Sequence, residues 1–103
     1  MSKFVFVYHG GSADASTASP DEIMAAWGAW FGSLGAAIID GGNPTGQAKT
    51  VGASGVVDGG GSNPITGYSL IEAPSLAAAA ALAAGCPLIK DGGTVEVAET
   101  FDM

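Results

Sequence analysis

Between residues 3 and 8 the chain reads Lys-Phe-Val-Phe-Val-Tyr, a β-branched and aromatic run with period-two alternation. Phe4, Phe6 and Tyr8 share one face, and Val5 and Val7 the other. An antiparallel sheet covered on one side alone shows a polar outer face. This strand has none, so both of its faces call for a cover. From Ser19 the period changes. Ile23, Trp27, Trp30, Phe31 and Leu34 fall on one helical stripe. Ser19 is the predicted N-cap, with Pro20 at the first helical position and Glu22 placed to close a capping box. Asp21 and Glu22 suit the positive end of the helix dipole. Gly28 and Gly32 each cost such a helix about 1 kcal/mol relative to Ala, so close packing against them is expected. Gly35 stands where a left-handed residue ends the helix.

Three further strands follow the same logic, at Ala36–Asp40, Gly67–Glu72 and Thr94–Glu99. Ser75 caps a second, alanine-rich helix reaching about Ala84, with Gly85 as its stop and Pro87 barring continuation. Two short, weak strands are expected at Lys49–Gly52 and Val56–Val57. Turn residues fill 41–46 and 59–64. The order β-α-β, a variable excursion, then β-α-β predicts an α+β protein over residues 1–103 as one domain. Its fold would be ferredoxin-like, βαββαβ, with an antiparallel sheet and both helices on one face. The other sheet face would be bare in a single chain, and a second copy of the sheet is its simplest cover.

Composition sharpens that expectation. Leu, Ile, Val and Phe supply 22 of 103 residues, barely above the ~20% below which highly charged chains stay disordered. A core this thin asks for a partner chain. The formal charge is −7, with three Lys or Arg against ten carboxylates. Lys3, Lys49 and Lys90 are too few and too scattered to displace counterions from phosphates, or to hold an anionic leaflet. Neither nucleic acid nor a membrane is therefore an expected partner. No apolar run approaches the roughly 18 residues of a spanning helix. The stretch Phe4–Tyr8 is too short for the core of a signal peptide. A lone cysteine, Cys86, forms no intrachain disulfide and fits a reducing compartment. The expected location is the cytoplasm.

Several segments occur together in an order that resembles the YCII-related family. They are Lys3–Tyr8, Ser19-Pro-Asp-Glu22, Trp27-Gly-Ala-Trp30, Gly67–Glu72, Gly85-Cys-Pro87 and Gly92–Val97. The resemblance is to the branch that carries an Asp-Gly-Pro-Phe segment, within the dimeric α/β-barrel group. It implies a ferredoxin-like protomer and a homodimer with its sheets face to face. It implies little about activity. Some family members place a His on the first helix, suspected of pairing with a nearby Asp; the matching position here is Met24. The Asp-Gly-Pro-Phe segment survives only as Asp58-Gly59, followed by Gly60 and Gly61.

Candidate chemistry is sparse. His9 is the only side chain with an ordinary pKa near neutrality. It closes the first strand ahead of Gly10-Gly11. It could act as a general base with a carboxylate such as Asp14, Asp40 or Asp58; the alternative is a surface His in a glycine turn. Tyr8, Trp27, Trp30 and Tyr68 could line an apolar ligand pocket beside the first helix, or could simply be core. Cys86 beside a helix C-terminus is expected to be buried and inert. His-Gly-Gly lacks the Gly-x-Ser-x-Gly elbow of an esterase. Gly41–Gly46 lacks the lysine that a phosphate loop needs directly after its last glycine. No metal-ligand spacing occurs, and no cofactor is expected. Three readings remain open: a binder of a small, partly aromatic, neutral or cationic molecule; a small lyase or isomerase using His9; and a purely structural or interaction domain.

Overall fold

The computed structural model describes residues 1–10 and 19–102. The loop expected over 10–18 falls, beyond Gly10, outside them, and Asp14 with it. The elements are β1 (Ser2–His9), α1 (Pro20–Leu34), β2 (Ile38–Asp40), β3 (Lys49–Gly52), β4 (Gly55–Asp58), β5 (Ile65–Ala73), α2 (Leu76–Ala83) and β6 (Thr94–Glu99). Four strands form one antiparallel sheet in the order β2-β5-β1-β6. β3 and β4 form a separate two-stranded hairpin. Setting the hairpin aside leaves βαββαβ with its first strand central, which is the ferredoxin-like arrangement.

Local chemistry sets the element ends. Ser19 Oγ accepts the Glu22 amide at 3.2 Å and donates to Glu22 Oε1 at 3.1 Å, so the carboxylate returns to the hydroxyl rather than to the backbone of the cap. Gly35 has φ +56°, yet the chain continues as a 3-10 turn through Ala37. β2 accordingly starts at Ile38, two residues later than its apolar run suggests. Ser75 Oγ accepts the Ala78 amide at 3.1 Å and starts α2. Pro87 stops that helix and opens a second 3-10 turn to Asp91, closed by the left-handed Gly92.

The two sheet faces differ sharply. Phe4, Phe6 and Tyr8 of β1 are buried, as are Ser69, Ile71 and Ala73 of β5. They pack with Trp30 and Leu34 of α1 and with Ala79 and Ala83 of α2. The Trp30 indole N–H donates to Leu82 O at 3.1 Å and ties the two helices together. A Cβ at Gly85 would lie 3.3 Å from that indole, so the glycine lets the end of α2 close onto it. On the opposite face Val5 stands between Leu70 and Ala98, and Val7 between Tyr68 and Glu96. Val5, Val7, Tyr68, Leu70 and Ala98 are all half-buried. The molecule is only 19 Å deep, one sheet layer and one helix layer. Nothing among the described residues covers the second face.

Close packing at Gly28 and Gly32 is not found. A Cβ at either would meet no atom within 4 Å, because both lie on the exposed side of α1. Their helix penalty finds no compensating contact among the described residues. Gly42 is the opposite case, with φ +72° and a would-be Cβ 1.8 Å from Tyr68 O. Gly28→Ala and Gly32→Ala should each raise the unfolding free energy by about 0.5–1 kcal/mol in urea titrations. Gly42→Ala should lower it by more than about 2 kcal/mol.

Candidate functional site

His9 ends β1. Alternation along the strand sets it on the same face as Val5 and Val7. Two residue pairings hold the strand there, His9 with Thr94 on β6 and His9 with Ile65 across a β-bulge on β5. The side chain is only 8% exposed and fully engaged. Its Nδ1 lies 3.0 Å from Asn63 O and 3.3 Å from Pro64 O. Carbonyl oxygens only accept, so Nδ1 carries a hydrogen and donates it to them. Its Nε2 lies 2.9 Å from Glu96 Oε1. Glu96 belongs to β6, on the same face and beside Val7, and its side chain is 65% exposed.

This geometry supports one chemistry. With Nδ1 engaged as a donor, Nε2 is the nitrogen left to face the Glu96 carboxylate, within hydrogen-bond distance at 2.9 Å. The buried ring orients the pair, and the exposed carboxylate is the member a solvent-borne molecule reaches. Glu96 was not among the carboxylates weighed from sequence. Its signal was the Val95-Glu-Val97 alternation, which puts a charge on the face opposite the two half-buried valines.

The other candidates are engaged elsewhere. Asp40 Oδ1 accepts the Gly42 amide at 2.9 Å and stabilises the turn after β2. Asp58 pairs with Lys49 across the exposed hairpin. An open depression of about 660 Å³ lies at the root of that hairpin, lined by Gln47, Ala48, Lys49, Asp58 and Gly59.

The four aromatic residues do not share one pocket. Tyr8, Trp27 and Trp30 meet on the helix side, with Tyr8 edge-on to Trp27 at 5.2 Å and Trp27 edge-on to Trp30 at 5.7 Å. Tyr8 and Trp30 are buried; Trp27 is half-buried and packs against the core. Ser69 Oγ donates to Gly41 O at 2.7 Å, which leaves the Tyr8 hydroxyl to donate to Ser69 Oγ, also at 2.7 Å. Tyr68 stands on the other face, in one row with Val7 and Glu96. The structure therefore groups Tyr68 with His9 and separates it from the tryptophans. Met24 is exposed on the outer side of α1.

Among the described residues, His, Cys, Asp and Glu form no group of three that could hold a metal ion. No described helix is long and apolar enough to cross a membrane.

The fold defines a two-layer α+β chain of ferredoxin-like topology with one open sheet face. More particularly, the chain belongs to the YCII-related domain family, whose model matches residues 6–103. A search among curated proteins finds no match.

Burial pushes the Tyr8 phenol up to about 12 and the Cys86 thiol up to about 11. Their ordinary values, 10.0 and 9.0, hold in the unfolded chain. Above those values the unfolded chain has lost protons that the native state keeps, so stability falls as pH rises. Urea midpoints should decline from pH 9 to 12, and Tyr8→Phe should flatten the part above pH 10. At pH 8 iodoacetamide should leave Cys86 unmodified in the native protein and label it fully in urea.

Proposed function

We propose that this chain works as a homodimer, sheet face against sheet face, and that it binds a small molecule at the His9–Glu96 end of that face. The observation that carries the reading is the buried His9 ring, held by two carbonyls and presenting an exposed carboxylate beside an uncovered apolar row. Tyr68, Val7 and Glu96 make that row. Tyr68 and Val7 suit a flat apolar or aromatic body, and Glu96 suits a cationic or hydrogen-bond-donating group. The −7 charge of the chain favours the same class of ligand. Dimerisation supplies the missing cover over Val5, Leu70 and Ala98, and leaves the His9 end at the rim.

Proton exchange with the bound molecule is the catalytic step this pair would support, of lyase or isomerase type. The exposed Glu96 carboxylate, 2.9 Å from Nε2, is the member of the pair that could exchange that proton with a bound molecule.

Sedimentation equilibrium at micromolar concentration should give twice the 10.0 kDa chain mass. Val7→Glu should return it to a single chain. Because His9 is the only histidine, its ring signals can be followed singly by NMR during titration with aromatic amines. They should shift together with those of Tyr68, and Glu96→Gln should weaken binding by at least tenfold, about 1.5 kcal/mol. A panel of cationic and neutral aromatic compounds that leaves the His9 ring unmoved would count against the ligand site.

A further inference from the structure

The β3–β4 hairpin is the least sheltered part of the described chain. Every residue of both strands is exposed, with Val51, Val56 and Val57 at 75, 59 and 63%. Val51 faces Val56 on one side, next to the Lys49–Asp58 pair. Val57 shares the other side with Thr50 and the two glycines Gly52 and Gly55. A two-stranded hairpin bare on both faces is at best marginally stable in water. The hairpin does not shelter against its own sheet either. The molecule spans 43 × 41 × 19 Å, so the hairpin extends in the plane of the two layers instead of folding back over the open face. Its radius of gyration, 14.7 Å, exceeds the roughly 13 Å of a compact chain this size.

A second shortfall concerns area. The main sheet has strands of 8, 3, 9 and 6 residues. At about 3.3 Å per residue and 4.8 Å between strands, its open face has a footprint of about 400 Å². A standard interface covers about 800 Å² on each partner. That figure is accessible surface, which exceeds the planar footprint of a corrugated face. The sheet face alone therefore lies at the small end of the range. The hairpin, with its three exposed valines, is a further unsheltered apolar surface among the described residues.

We propose that the β3–β4 hairpin is an arm that packs its valines against a second copy of this chain. The proposal rests on the face-to-face dimer and adds a second contact to it. A second copy is the occupant because two-fold exchange covers both arms at once and enlarges a sheet contact that is small on its own. The arm also bears on the candidate site. It leads directly into residues 59–64, whose Asn63 and Pro64 carbonyls hold the His9 ring. Docking the arm on the partner therefore steadies the cover of His9.

Two measurements test this. The triple variant Val51→Thr, Val56→Thr, Val57→Thr keeps β-forming residues while removing the apolar surface. Its dimer should dissociate at least tenfold more readily in sedimentation, with an unchanged circular dichroism spectrum. Independently, Ser54→Cys at the hairpin turn takes a nitroxide label while the buried Cys86 does not. In dimers mixed with unlabelled, ¹⁵N-enriched chain, it should broaden amide signals of the partner. A wild-type protein of single-chain mass overturns the dimer and the arm together. A wild-type dimer whose partner amides stay sharp, or whose triple variant dissociates within twofold of wild type, overturns the arm alone. A triple variant that does not fold leaves the decision to the nitroxide.

Discussion

The central strand governs this structure, because its side chains are apolar in both directions. Phe4, Phe6 and Tyr8 face the helices, and Val5 and Val7 face away. A ferredoxin-like chain has one layer of helices and can cover only one of those faces. The covered side is built tightly from little material. α2 contributes Ala79 and Ala83, small enough to lie close to the sheet, and the Trp30 ring fills the remaining space against Phe6 at 6.1 Å. Few large aliphatic residues are then needed for a satisfied core. The same economy leaves the second face without a layer of its own.

The candidate site depends on the same strand. His9 continues the outward row of Val5 and Val7, so the one imidazole emerges on the uncovered side. Crowding at the start of β6 locates its partner. A Cβ at Gly93 would lie 2.8 Å from His9 O and 2.5 Å from Leu88 Cγ, so only glycine lets β6 begin this close to the end of β1. Two further steps of alternation bring Glu96 to the outward face beside Val7. The loop at 63–64 then closes over the ring. The pair is positioned by backbone register on two strands and a loop, which is a stiffer arrangement than two side chains meeting on mobile segments.

Much of the fold was legible from residue pattern. Ser19-Pro20 and Ser75 mark both helix starts, and Thr94–Glu99 is the last strand as read from its alternation. Boundaries moved where a local turn competed with an apolar run, as at Gly35–Ala37. Gly28 and Gly32 misled because close packing was inferred from their cost to the helix, although the stripe of Ile23, Trp27, Trp30, Phe31 and Leu34 already sets both on the opposite side of α1. The site was half legible. His9 stood out through its chemistry, but its partner lies 87 positions away. That pairing is a consequence of strand order, which a single sequence does not display. Tyr68 was grouped with the tryptophans by residue type, and the pleat divided them.

Charge is the remaining difficulty for the proposed association, since each copy would carry −7. The distribution of those charges eases it. Asp21 and Glu22 sit at the start of α1, where the helix dipole favours them. Asp58 is paired with Lys49. On the open face the middle positions Val5, Leu70 and Ala98 are uncharged. Lys3 and Glu72, of opposite sign, stand opposite each other at one margin, and the His9–Glu96 pair lies at the other. In the proposed face-to-face dimer, these middle positions would meet away from the charges at the margins. The acidic balance would then bear on the choice of ligand, while the apolar middle of the face would carry the proposed contact.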